Sequence, residues 1–137
     1  MWQKFMAYKN IDCGLLMLRL SIGCFMFIGH GLPKLIHFDE MFHTFADPLH
    51  ISHEASYILV VFAEALCSIL IILGLWTRLA LLPLLIDMLV IAVLVDLHQP
   101  WNKVEFALLY FVAYTTLFVT GAGRYSLDYR LFERWTE

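Results

Sequence analysis

The sequence predicts an all-α protein: a polytopic membrane four-helix bundle of up-down topology with a short C-terminal amphipathic helix. Three observations carry that expectation. Of 137 residues, 61% are hydrophobic and only 15% charged, with a mean hydropathy of +0.76, far outside the norm for soluble chains. Four apolar runs, at about residues 14–36, 55–76, 79–98 and 103–120, are each long enough to cross ~30 Å of hydrocarbon. The connections between them are short, which sets successive spans antiparallel within a single domain covering 1–137.

In chain order, Lys4 and Lys9 stand among Trp2, Phe5 and Tyr8, an interfacial composition. Asp12 is placed to cap the first span. That span is too long for a signal peptide and lacks a small-residue cleavage site, so it is expected to be retained. Gly29, Gly31 and Pro33 are expected to kink its last turns. Residues 37–54 form the outer loop, HFDEMFHTFADPLHISHE, with four histidines, four acids and no Lys or Arg. Ser52 is placed to cap the second span, and Gly74 to close it. Thr77 and Arg78 turn the chain into the third span, which contains Pro83. Gln99 and Pro100 break it, and Asn102-Lys-Val-Glu105 has the pattern of a capping box for the fourth span. Gly121 and Gly123 end that span. Over 125–137, Leu127, Leu131, Phe132 and Trp135 recur at helical spacing beside Arg130 and Arg134, as in an interfacial helix.

Charge placement orients the chain. Lys4, Lys9, Arg78, Arg124, Arg130 and Arg134 fall on the side of the termini, whereas the other side has Lys103, with Lys34 at its border. The termini are therefore expected to be cytoplasmic. The net charge of -3 offers no basic surface for nucleic acid. Cys13, Cys24 and Cys67 have no paired spacing, so a disulfide framework is not expected, and small-hydrophobe roles are.

Ionisable groups within the spans need a reason, since each is costly in hydrocarbon. At ~1.5 Å per residue, Arg19, Asp87 and Glu64 come out at roughly 10, 12 and 16 Å from the terminal-side face. Arg19 is expected to pair with Glu64, with Asp87 nearby, because burial favours pairing. Two acids sharing one Arg leave one carboxyl to carry a proton. Nearer the outer face, the same counting collects His30, Lys34, Asp96, His98 and Glu105. His98, 11 residues from Asp87, shares its helical face, and Asp96 points the other way. Glu64 and Asp87 are thus the candidate catalytic groups. Arg19, His30, Lys34, His98 and Glu105 are the candidate substrate- or quinone-binding groups. The residues leave two readings open: a latch that fixes helix register, or a proton-handling or ligand site.

Other chemistries have thinner support. Asp47, His50 and Glu54 share one helical face, but match no closed zinc pattern, so no metal site is expected. His30 and His98 are a haem-type pair without any further haem cue. Phe106, Tyr110, Phe111, Tyr114 and Phe118 could wall a quinone pocket, although such residues more often simply face lipid or pack. Phosphate-loop, nucleophile-elbow and HExxH motifs are absent from the sequence.

Taken in order, Arg19, Gly31-Leu-Pro-Lys34, Glu64, Gly74-Leu-Trp-Thr-Arg78, His98, Glu105 and Gly121-Ala-Gly-Arg-Tyr-Ser-Leu-Asp128 make a set that resembles the DoxX family of small four-span bacterial membrane proteins. The resemblance runs over about 15–128. Gln99-Pro-Trp-Asn102 stands where the family commonly has a Gly-aromatic pair, and Ala122 where it often has proline. The resemblance implies a bacterial inner-membrane component of a redox system. Related DoxD proteins look like small membrane subunits of thiosulfate:quinone oxidoreductase, and other members like anchors for oxidative-stress and thiol-homeostasis assemblies. The partners it implies are a lipid bilayer and either a homo-oligomer or redox subunits; the cofactor is left unassigned, with quinone the candidate. The alternatives are a non-catalytic membrane anchor or assembly module and, third, a small-molecule transporter.

Overall fold

The structure, a computed structural model, describes residues 2–96 and 98–133. Arg134 and Trp135, and the interfacial side chains expected among residues 2–9, lie outside what is described. Helix α1 runs over residues 2–36, as Trp2–Met26, a wide turn Phe27–Gly31, and Leu32–Ile36. A short α2, Phe38–Met41, begins the connection to α3, His53–Leu73. Helix α4 is Thr77–Val95 and α5 is Trp101–Thr120. The last described residues end in a wide helical turn, Tyr129–Glu133. Among the described residues there is no strand, and α1, α3, α4 and α5 are long and apolar enough to cross a membrane. The side holding Asn10 and Gly121 is called the terminal side below, and the side holding residues 37–52 the loop side.

The helix ends follow local chemistry. Ala55 N donates to Ser52 Oγ at 3.1 Å, so the expected cap of α3 forms. Gly74 closes α3 at φ +68°, and a Cβ there would lie 2.7 Å from both Arg19 Nη1 and Ser126 Cβ. Backbone and space therefore both demand glycine. Two expected caps do not form. Asp12 lies inside α1, and its Oδ1 accepts from Arg124 N at 3.1 Å instead. Pro100 itself takes the flanking position before α5, with no side-chain cap, which leaves Asn102 and Glu105 inside the helix and exposed. A proline at the non-helical position fixes the entry without help from a side chain.

Three spans contain a wide, π-type turn: Phe27–Gly31, Phe62–Cys67 and Ile91–Val95. In α1 it closes with Leu32 N donating to Phe27 O, just before Pro33. The kink expected at Pro33 is thus taken up by a widened turn that absorbs the missing N–H. In α4 the Asp96 N donates to Ile91 O at 2.7 Å, again across five residues. Each such turn inserts a residue and rotates everything after it relative to a 100° reading.

Glycine also sets how the helices meet. A Cβ at Gly31 would lie 2.6 Å from Glu64 O, and one at Gly23 would lie 2.7 Å from Ile72 Cγ1. So α1 lies backbone-close to α3, as small residues permit in membranes. The antiparallel levels follow: Gly31 beside Glu64, Gly23 beside Ile72, Arg19 beside Gly74. Met26, Cys67, Ile71, Leu81, Leu84, Met88, Tyr114 and Leu117 fill the interior between the four spans. On the loop side Tyr57 is ringed by Phe38, Phe42 and Phe45, and its hydroxyl donates to Lys34 O at 2.6 Å. The loop thereby folds back over α3. Met17, Phe25, Ile28, Ile58, Ile86, Val112 and Val119 face outward, as a bilayer requires.

Candidate functional site

Glu64 sits in the wide turn of α3, opposite the glycine-lined face of α1, where it is only 2% exposed. Lys34 comes from the last turns of α1 and hydrogen-bonds Glu64 Oε2, its own side chain 15% exposed. A carboxylate so buried needs a counter-ion, and the long Lys stem lets an ammonium reach it from the helix end. Asp87, from α4, is 8% exposed, and its Oδ2 has no hydrogen-bond partner among the described residues. The His30 ring, from the wide turn of α1, rests 5.1 Å from the Phe106 ring of α5.

These four side chains line one cleft of about 640 Å³, together with Asp96. Its walls are apolar, from Leu59 and Phe62 of α3 to Ile86 and Val90 of α4, and Phe45, Pro48 and Leu49 of the loop roof it. Leu59, Phe62 and Ile86 are about half exposed. The cleft therefore reaches the apolar outer surface of the spans along α3 and α4. An apolar-walled cavity with a few convergent polar groups is the usual form of a small-molecule site.

Arg19 is elsewhere. Its Nη1 donates to Ala122 O and its Nη2 to Tyr125 O, both at 2.7 Å. Glu64 is level with Gly31, which stands twelve residues along α1 from Arg19, or about 18 Å. The expected Arg19–Glu64 pair is therefore not made. Residues 121–128 fold back against the terminal end of the bundle and bring backbone carbonyls to the guanidinium. The same segment is tied down by Asp128, whose carboxylate accepts from Trp76 N at 2.6 Å and Thr77 N at 2.8 Å. Asp128 N donates in turn to Gly74 O at 2.8 Å. Arg19, Gly74 and Asp128 thus make a latch that closes the terminal end.

Of the outer group, His30 and Lys34 line the cleft, whereas His98 and Glu105 are exposed and do not. Asp96, expected to point away from it, lines the cleft because the wide turn Ile91–Val95 resets the register after Asp87. His98 shares no helical face with Asp87, because α4 ends at Val95 and His98 lies exposed in the turn beyond it.

The histidine loop is organised by local bonds. His43 Nδ1 pairs with Glu54 Oε1 at 2.9 Å, His53 Nδ1 donates to Phe45 O at 2.5 Å, and His37 Nδ1 meets Glu40 Oε2 at 3.2 Å. Asp47 Oδ1 accepts from Ser56 Oγ at 2.7 Å and Ile51 N at 3.1 Å. The Ser56 bond holds the Asp47 carboxyl below its ordinary range. Asp47 and Glu54 are thus engaged with different partners. Among the described residues no group of three or more His, Cys, Asp or Glu is placed to hold a metal ion.

A family model described as DoxX matches residues 14–97, more than half of the chain. The matched stretch contains Arg19, His30, Lys34, Glu64 and Asp87, and ends before His98, Glu105 and the latch segment 121–128. No curated protein and no solved structure matches the chain.

Proposed function

We propose that this chain, which belongs to the DoxX family, is the quinone-binding membrane component of a bacterial inner-membrane redox assembly, with its terminal side cytoplasmic. The observation that carries the reading is the cleft that reaches the apolar outer surface of the spans and ends on Lys34, Glu64, His30 and Asp87. A ligand reaching it through the bilayer must be lipid-soluble, yet carry a headgroup worth hydrogen-bonding.

A quinone fits that description, and the residues present fit a quinone. The Lys34 ammonium and a His30 ring N–H are donors for its carbonyl oxygens. A volume of about 640 Å³ falls within the ~300–1,000 Å³ common for small-molecule sites. When bound, a quinone supplies two-electron redox chemistry. The chain's own residues bind and orient it: Glu64 holds Lys34 in place, His30 is steadied against Phe106, and the apolar walls exclude water. Asp87 Oδ2, with no other bond to satisfy, holds or releases the proton. The electrons for its reduction would come from a partner redox subunit.

The second reading, a non-catalytic anchor, draws on the latch: Arg19, through both Nη atoms, and Asp128 close the terminal end of the fold. Quinone content separates the two. Purified from membranes into lipid nanodiscs, the wild-type protein is expected to retain quinone in organic extracts, and Glu64→Gln to retain roughly tenfold less, the effect of about 1.4 kcal/mol lost at one charge-assisted contact. Equal quinone in both, or none in either, favours the anchor.

A further inference from the structure

The terminal end holds a second cavity, of about 510 Å³, that the quinone reading does not use. It lies where the start of α4 meets the end of α5, beside the segment that carries the latch. Its walls include Thr77, Arg78 and Leu79 from α4, Thr120 from α5, and Arg124 and Asp128 from the returning segment. A Cβ at Gly121 would lie 3.8 Å from Arg78 Nη2, so this guanidinium reaches from α4 to the end of α5. Thr77 is 1% exposed, and its Oγ1 has no hydrogen-bond partner among the described residues.

The charges at this end do not cancel. Arg19 is held by the carbonyls of Ala122 and Tyr125. The Asp128 carboxylate is met by Trp76 N and Thr77 N, at the positive end of the α4 dipole. Asp12 Oδ1 accepts from Arg124 N at 3.1 Å, and its Oδ2 lies 3.9 Å from Arg124 Nε. Arg78 is exposed and has no hydrogen bond, ion pair or ring contact among the described residues. Three guanidinium groups thus stand against two carboxylates, and the one left over borders the cavity. The rim is apolar: Trp76, Leu79 and Phe132 are each more than half exposed. A tryptophan at the end of a span marks the headgroup level of a bilayer. From Leu79, the exposed Leu82 and Ile86 follow three and four residues on, which makes one apolar stripe down α4.

We infer that this cavity binds the phosphodiester of an anionic phospholipid on Arg78 and Arg124, with the acyl chains lying along Leu79, Leu82 and Ile86. A guanidinium presents a planar fork of N–H donors that matches two phosphate oxygens. A free phosphate would meet the same donors, but it has nothing to place against the apolar rim or the stripe below it. The surplus of one cation selects a headgroup with net negative charge. A phosphocholine brings its own ammonium and leaves that surplus unanswered. A lipid seated here touches both α4 and the returning segment, and so braces the latch. The site goes beyond the quinone reading and holds whether or not the cleft takes a quinone.

The test is native mass spectrometry of the protein released from detergent micelles, titrated with phosphatidylglycerol or phosphatidylcholine of matched acyl chains. The first phosphatidylglycerol is expected to bind about fivefold tighter than phosphatidylcholine, the weight of one basic residue against anionic lipid. Arg78→Gln is expected to weaken phosphatidylglycerol binding about tenfold, the loss of one charge-assisted contact, and to abolish the preference. Arg124→Gln is expected to weaken it by a smaller factor, since Asp12 already shares that guanidinium. Lys103→Gln removes an exposed cation on the loop side, whose Nζ meets Gln99 Oε1 at 3.4 Å, and is expected to change nothing. Millimolar inorganic phosphate is expected to displace no lipid. Circular dichroism checks that all variants are folded. Equal affinity for the two lipids, wild-type affinity in Arg78→Gln, an equal loss in Lys103→Gln, or displacement by inorganic phosphate overturns the lipid site. Quinone content plays no part in this readout, so its failure is distinguishable from failure of the quinone reading.

Discussion

Lys34→Met is expected to destabilise the protein by about 3–5 kcal/mol, because it leaves Glu64 as an uncompensated buried charge. Glu64 is 2% exposed and Lys34 is its ion-pair partner. The penalty comes from the orphaned carboxylate rather than from the bond lost, so removing the carboxylate as well reverses most of it. Lys34→Met with Glu64→Leu should return to within about 1 kcal/mol of wild type, as apolar replacement of a whole buried pair commonly does. Unfolding in detergent micelles measures both. A single variant as stable as wild type, or a double variant no better than the single, contradicts the pairing. Under the proposed function the double variant is folded but does not bind quinone, which separates the structural part of this pair from its binding part.

Arg19→Met should cost about 3 kcal/mol or more, since it removes two bonds from a charged donor at roughly 1.5–3 kcal/mol each. The carbonyls of Ala122 and Tyr125 then lose their donor, and the 121–128 segment loses its hold on α1. Limited proteolysis at Arg124, which is exposed, reports that loosening directly. The charge swap Arg19→Glu with Glu64→Arg is expected to rescue nothing. The two positions are about 18 Å apart by helical rise, beyond the ~7–10 Å within which substitutions couple, so the two losses should add. A double variant more stable than either single would restore the Arg19–Glu64 pair and remove the latch.

Those two results turn on what could be read from the sequence and what could not. The four spans were legible because apolar length is a strong signal, and Ser52 and Gly74 because each does a job that few residues can do. Glu64, Asp87, His30 and Lys34 stood out because ionisable groups in apolar runs are costly. Their partners did not. Arg19 is bound by backbone carbonyls, which carry no residue signature, from a segment more than a hundred positions away. Depth counted from the ends of apolar runs also misled: α1 passes through Asp12 and ends on the loop side soon after Lys34, which puts Lys34 rather than Arg19 level with Glu64. The wide turn Ile91–Val95 shifted the helical phase, so Asp96 entered the cleft, and α4 ended at Val95, so His98 fell in the turn beyond it.

The central claim is that the cleft along α3 and α4, and not the latched terminal end, takes the quinone. Irradiating proteoliposomes with a photoreactive quinone analogue, then mapping the adducts by mass spectrometry, tests it most directly. Adducts are expected within residues 56–64 and 83–91, and should disappear in the Lys34→Met, Glu64→Leu double variant. Adducts confined to 120–129, or spread over the lipid-facing surface and unchanged in the double variant, would contradict it.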